Sequence, residues 1–239
     1  MVQVPRRTGV SGPTLIRLLA RLTDADIPPS RQSLADRLSL WLSWTDAIAL
    51  SAVLDAAPPA RAAGAAAFDS AEAREVERVR ESLNQAIADD RQFTAAPPRG
   101  PRPAPGAAAE AEPAYATYRQ RYLAIQQTMD TRIAKLRGGL RALLAAQAPA
   151  MARLAMVDAI MERSLSLHER RLLGTIPGML EGHFERLRQA ARDAADPDTP
   201  AAAAPWLAAF RADMRSVLRA ELDIRLQPIE GLLAALRAN

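Results

Sequence analysis

His168 and His183 are the only two histidines in a chain of 239 residues that has no cysteine. They are therefore the first place to look for metal or acid–base chemistry. Their midpoint falls between Thr175 and Ile176, inside the run Gly174-Thr175-Ile176-Pro177-Gly178, which reads as a break in a helical pattern. A tight antiparallel turn there sets the two rings level on facing helices, with Glu169 and Glu181 close by. That would be a two-histidine carboxylate set for a divalent ion. A continuous helix bent at Pro177 instead holds the rings roughly 22 Å apart, at 1.5 Å per residue, and makes no site. We expect histidines that make ordinary hydrogen bonds, with no catalytic residue, no metal and no cofactor.

Other chemistry is thinner still. Without cysteine there is no thiol catalysis, disulfide framework, zinc ribbon or iron–sulfur site. No Gly-x-Ser-x-Gly elbow, Ser-x-x-Lys pair, Gly-x-x-x-x-Gly-Lys loop or Gly-x-Gly-x-x-Gly turn occurs, so the common nucleophiles and nucleotide cradles are missing. The chain does not read as an enzyme. Its 31 basic and 27 acidic side chains leave a net +4, and Lys135 is the only lysine. The arginine, alanine and proline surplus is what a GC-rich coding bias produces. Residues 113–175 carry a basic excess and residues 34–93 an acidic one, which invites pairing within or between chains.

The elements that must position these groups are helices. Hydrophobic residues make up 49% of the chain but aromatics only 4%, so the apolar mass is alanine and leucine. Gly12-Pro13 opens a short helix with Leu15, Leu18, Leu19 and Leu22 on one side. Ser30 reads as the N-cap of the next, where Leu34, Leu38, Trp41, Thr45, Ile48 and Ala52 form a stripe wide enough to bury. Trp41 belongs to that stripe and Trp44 lies toward its edge. Asp69 or Ser70 caps a charged helix running to about Phe93, with Val76, Val79, Leu83 and Ile87 inward. Pro97, Pro98, Pro101, Pro103, Pro105 and Pro113, with Gly100 and Gly106, mark a linker.

Beyond it lies the longest pattern. Tyr115, Tyr118, Tyr122, Ile125, Met129, Ile133, Leu136, Leu140 and Leu143 recur three or four apart. A seam of that length needs an equally long partner, in this chain or another. Arg119, Arg137 and Arg141 flank it on one side and Arg121, Arg132 and Lys135 on the other, as charges that pair across a helical interface do. Gly138-Gly139 is a local flexible point. Pro149 starts or kinks a helix that continues through Leu154, Val157, Met161, Leu165 and Leu172. Phe184, Leu187 and Ala191 mark another, and Phe210, Met214, Val217 and Ile224 the last, which Pro228 should kink before Ile229, Leu232, Leu233 and Leu236. No segment alternates as a strand.

Three runs in the N-terminal quarter point to a family. Gly12-Pro13-Thr14-Leu15-Ile16-Arg17-Leu18-Leu19 is followed by Asp24-Ala25-Asp26-Ile27-Pro28, and then by Ser33-Leu34-Ala35-Asp36-Arg37-Leu38 through Trp44-Thr45-Asp46-Ala47-Ile48. These runs resemble a proteobacterial family known as domain of unknown function 3348, and the overall length and layout are similar too. The resemblance implies no activity, fold or site. It associates the chain with neighbouring genes for envelope-anchored and motor-stator-like membrane proteins, and so implies a cytoplasmic accessory of an envelope complex.

The expected architecture is all-α. Residues 1–93 form an N-terminal helical bundle, 94–113 a Pro-rich linker, and 114–239 a long-helix hairpin or coiled-coil region. The expected function is a non-enzymatic scaffold or adaptor that forms a homo-oligomer or docks onto a protein partner, with Trp44, Tyr115, Tyr118, Tyr122, Ile125 and Met129 as the partner-binding residues. The alternative is nucleic-acid binding through the Arg-rich stretch 119–171. No secretory signal fits Val2–Pro5. The most apolar stretch, Leu38 to Leu54, carries Ser39, Ser43, Asp46 and Ser51, so a cytoplasmic chain without membrane insertion is expected.

Overall fold

Proline sets where half of the helices begin. In the computed structural model, which describes residues 12–25, 32–56, 70–89, 114–194 and 205–238, every element is helical. The elements are α1 (Thr14–Thr23), α2 (Leu34–Trp41), α3 (Trp44–Asp55), α4 (Ser70–Ala88), α5 (Tyr115–Ala146), α6 (Pro149–Leu173), α7 (Ile176–Asp193) and α8 (Pro205–Arg237). Pro13 precedes α1, Pro149 and Pro205 are the first residues of α6 and α8, and Pro177 sits in the first turn of α7. There a missing N–H removes no helical bond. Pro149 thus starts a helix, and Pro228 lies inside α8 without ending it.

The long seam finds its companion in the same chain. α5 has 32 residues and α8 has 33. They run parallel, since Tyr118 meets Arg211 and Phe210 near one end and Asp130 meets Arg225 further along. Tyr115, Tyr118, Tyr122, Ile125, Met129, Ile133 and Leu140 are buried along α5, against Phe210, Met214, Val217, Leu218 and Leu222 of α8 in one core. Leu136 and Leu143 are half-buried, and Leu144 takes the buried place beside them. Each large apolar side chain hidden this way contributes about 1.5–3 kcal/mol. α6 turns back along α5 after Gln147-Ala148, and the hairpin is stitched by Arg137 to Asp158 at 2.6 Å and by Arg141 to Asp158 at 3.3 Å and to Glu162. Glu162 and Asp158 hold the Arg141 guanidinium above its ordinary pKa, outweighing the burial that lowers it.

The N-terminal helices do not gather into a bundle of their own, as residues 1–93 were expected to. α1 packs on α7 and α8, α4 on α5 and α8, and α2 with α3 on α6. The reason is area. α1 offers one stripe, Leu15, Leu19 and Leu22, and α4 another, Val76, Leu83 and Ile87, whereas the long helices offer broad apolar surfaces to both. The linker at 94–113 and the caps at Ser30 and Asp69 lie outside the described residues.

Candidate functional site

The sequence Ser33-Leu34-Ala35-Asp36 recurs in kind as Ser43-Trp44-Thr45-Asp46, and each is a reciprocal N-terminal cap. Ser33 Oγ accepts from the Asp36 backbone N–H at 3.1 Å, while Asp36 Oδ2 accepts from the Ser33 backbone N–H at 3.1 Å. Ser43 and Asp46 repeat the pair at 3.2 Å each way. The hydrogen bond from the Ser33 side chain holds the Asp36 carboxyl below its ordinary value. Those from the Ser43 and Ser164 side chains do the same for Asp46. The second cap breaks the single helix expected from Leu34 to Ala52: Leu42 is extended at φ −79°, ψ 127°, and the chain restarts at Trp44. The first cap is Ser33, three residues beyond Ser30.

α2 and α3 are anchored along one edge only. Asp46 pairs with Arg163 at 3.7 Å, Arg153 donates to the Ala56 carbonyl at 2.8 Å, and Trp41 stacks on His168 with centroids 5.5 Å apart. α3 therefore runs antiparallel to α6. No residue of either helix is buried, against the packing face expected there. Exposure is 81% for Trp44, 73% for Leu34, 72% for Leu40, 57% for Leu54 and 54% for Ile48. Five large apolar side chains on these two helices thus face outward from the rest of the chain.

Of the six residues assigned to partner binding, Trp44 alone is open to a partner. Tyr115, Tyr118, Tyr122, Ile125 and Met129 are buried inside the chain's own core. Tyr115 donates to the Pro177 carbonyl, and burial, with Glu181 nearby, pushes its hydroxyl up to about 12. Tyr118 packs edge-on to Phe210 at 5.2 Å, and Phe210 packs on Phe184 at 5.0 Å.

The histidines part company. α6 and α7 are separated by the Gly174-Thr175 turn but make no extended contact with each other. His168 stacks on Trp41, while His183 shares a 2.9 Å hydrogen bond with Asp213 of α8. The facing pair with Glu169 and Glu181 does not form, and among the described residues no group of three or more histidines and carboxylates could hold a metal.

What the sequence reading missed is a polar network inside the α5–α8 interface. Glu221, at 0% exposure, accepts from the Tyr122 hydroxyl at 2.6 Å, from Gln126 Nε2 at 2.9 Å and from Arg225 Nε at 2.9 Å. Arg225 also pairs with Asp130, and Gln126 donates to the Leu173 carbonyl at the end of α6. Burial and the Glu221 charge hold the Tyr122 hydroxyl far above its ordinary range. Burial lowers the Arg225 pKa, but Glu221 and Asp130 more than offset it. Beside Arg225 lies a cavity of about 420 Å³, with Trp41, His168, Leu165, Ile224 and Pro228 in its wall. A wider groove of about 670 Å³ separates α4 from α5, with Val79, Leu136, Leu140 and Leu143 as its floor.

The runs at the N-terminus gave the first hint of kinship, and a family model described as Protein of unknown function (DUF3348) matches residues 1–238. The chain belongs to this family. The match carries the resemblance from the first quarter across both sides of the Pro-rich stretch, so the exposed α2–α3 pair and the α5–α8 core fall within one DUF3348 unit. No curated protein and no solved structure matches the chain.

Proposed function

We propose that this DUF3348 chain is a non-enzymatic cytoplasmic adaptor that associates with itself or docks onto a protein partner through α2 and α3. The observation that carries the reading is that neither helix has a buried residue and that five of their large apolar side chains are exposed, Trp44 foremost. A tryptophan standing in water is the residue type that most often anchors a protein interface. The rest of the fold acts as a stiff mount, with the long seam closed internally by α8. An accessory place at an envelope complex belongs to this proposal through the family resemblance. No helix among the described residues is long and apolar enough to cross a membrane, so such an association would run through protein contacts.

The nucleic-acid alternative has less support. Its cations are committed within the chain: Arg121 donates to the carbonyls of Ala86 and Asp89 at the end of α4, Arg132 to Ser82, and Arg137 and Arg141 to Asp158 and Glu162. Few are left to gather phosphates on one stripe.

The test is a photo-crosslinking amino acid placed at position 44 in the full chain, in the cell, with position 120 on the exposed side of α5 as control. A discrete adduct from position 44 alone supports the adaptor reading. No adduct, or the same adducts from both positions, refutes it.

A further inference from the structure

The groove between α4 and α5 carries opposite charges at its two ends. Arg121 donates to the carbonyls of Ala86 and Asp89, and Arg132 to Ser82, so α4 runs antiparallel to α5. Glu72, in the first turn of α4, therefore lies toward Leu143, while Lys135 and Arg132 lie at the other end. Between them Val79, Leu136 and Leu143 are only half covered, over a buried Leu140. Gly139 keeps the floor open, since a Cβ there meets nothing within 4 Å. On the rim Glu75 and Arg78 neutralise each other at 2.6 Å. Glu72 differs. Its Oε2 is shut off from water and has no hydrogen-bond partner among the described residues, which costs free energy until a donor is supplied. Lys135, the chain's single lysine, is exposed and has no ion-pair partner among the described residues.

We propose that this groove receives an amphipathic helix of a protein partner, with an acidic first turn against Lys135, a basic last turn against Glu72, and the same direction as α5. The length agrees. From Arg132 to Leu143 α5 rises about 16 Å at 1.5 Å per residue, which is three turns of an occupant. Over that distance an apolar stripe at i, i+3 or i+4, and i+7 meets Leu136, Leu140 and Leu143 in turn. The polarity agrees as well. Acidic residues in the first turn and basic ones in the last are what the helix dipole favours, so an ordinary helix presents the required signs in the required order. A fatty acyl chain would give its carboxylate to Lys135 but bring only methylene groups to Glu72, and a phosphate backbone would bring a second anion there. This surface is separate from α2 and α3, which pack on α6. It goes beyond the reading of those helices and stands or falls without it, giving the adaptor a second point of attachment.

The experiment titrates the full chain into two fluorescent, stapled three-turn helices at low ionic strength and reads polarisation. Both carry leucine at i, i+3 and i+7. The first has glutamates in its first turn and arginines in its last, and the second has these exchanged. The first is expected to bind with a Kd on the order of 10 µM, and the second at least about tenfold more weakly. Lys135→Glu, at an exposed position, is expected to weaken the first helix about fivefold. Combined with Glu72→Lys it should reverse the preference, so that the second helix binds the better. Gly139→Phe fills the groove from its floor and is expected to abolish binding, with an unfolding midpoint no lower than wild type, because its Cβ enters open space and a helix-interior glycine is removed. Circular dichroism confirms that each variant is folded, and Glu72→Gln, which removes the charge without reversing it, should lower the preference for the first helix on its own. Neither helix binding at about 100 µM, equal binding of the two, binding retained by Gly139→Phe, or a preference that the double exchange leaves unchanged overturns the proposal. A straight-chain carboxylate that binds and is displaced by Gly139→Phe, where the first helix does not bind, overturns it in favour of a lipid ligand.

Discussion

Replacing Tyr122 by phenylalanine removes one oxygen from the middle of the α5–α8 interface. The hydroxyl donates to Glu221 Oε2 at 2.6 Å, and both side chains are at 0% exposure, so water cannot take its place. A hydrogen bond to a charged partner contributes about 1.5–3 kcal/mol. Glu221 keeps Gln126 at 2.9 and 3.1 Å and Arg225 at 2.9 Å. The loss should therefore fall toward the lower end, about 2 kcal/mol. Arg225→Ala is harsher, because it strips the cation from Glu221 and Asp130 together and strands a charge in the core, at about 3–5 kcal/mol. Converting the set at once, Tyr122→Phe with Glu221→Leu and Arg225→Met, should regain most of that loss, since apolar groups of similar volume carry no desolvation penalty. Urea unfolding read by circular dichroism measures all three, as shifts in midpoint at constant slope. A Tyr122→Phe loss under about 0.5 kcal/mol would refute the buried charge-assisted bond. A triple variant less stable than Arg225→Ala would refute the claim that desolvation dominates this network.

Gly138→Ala should stabilise the chain by about 0.8–1 kcal/mol, because Gly138 lies within α5 and an added Cβ meets nothing within 4 Å; thermal unfolding checks it. Trp44→Ala, at 81% exposure, should leave monomer stability within about 0.5 kcal/mol. Phe210→Ala, at 0% exposure, should cost about 3–5 kcal/mol, and the same denaturant titration separates the two. Acid should loosen α2 and α3 first. The Asp36 and Asp46 carboxyls are held below their ordinary 3.8 in the fold, so their contribution is complete above that value and is lost as pH falls through the lowered ones. Chemical shifts of the α2 and α3 amides on acidification, with Ser33→Ala and Ser43→Ala as controls that begin already loosened, read this directly.

The seam from Tyr115 was legible because its three- and four-residue spacing is what burial on a helix demands, and Phe210, Met214 and Val217 were legible on α8 for the same reason. The network between them was overlooked because it is polar. Gln126 follows Tyr122 by four residues, and Glu221 follows Val217 by four, so both sit on the buried stripes. A charged residue on an apolar stripe was the available signal. The break at Leu42 left no mark in the hydrophobic pattern, since Leu38, Trp41, Thr45 and Ile48 keep their spacing across it. The two Ser-x-x-Asp caps were the readable sign. Exposure of Trp44 could not be read at all, because periodicity says which side of a helix is apolar and not whether anything in the same chain reaches it. The histidine geometry turned on one angle, at Gly174-Thr175, which spacing leaves free.

α8 touches α1, α4, α5, α6 and α7, and it is the last described element to be synthesised. Leu22, whose carbonyl accepts from Arg186, must wait 164 positions for that one bond, and longer for α8. During translation the earlier helices therefore have no finished surface to settle on, and Tyr118, Tyr122 and Met129 stay uncovered until Pro205–Arg237 clears the ribosome. Closure of the core thus waits on contacts distant in sequence, with a correspondingly slow rate, and a chain lacking α8 would be a substrate for chaperones and proteases rather than a smaller working protein.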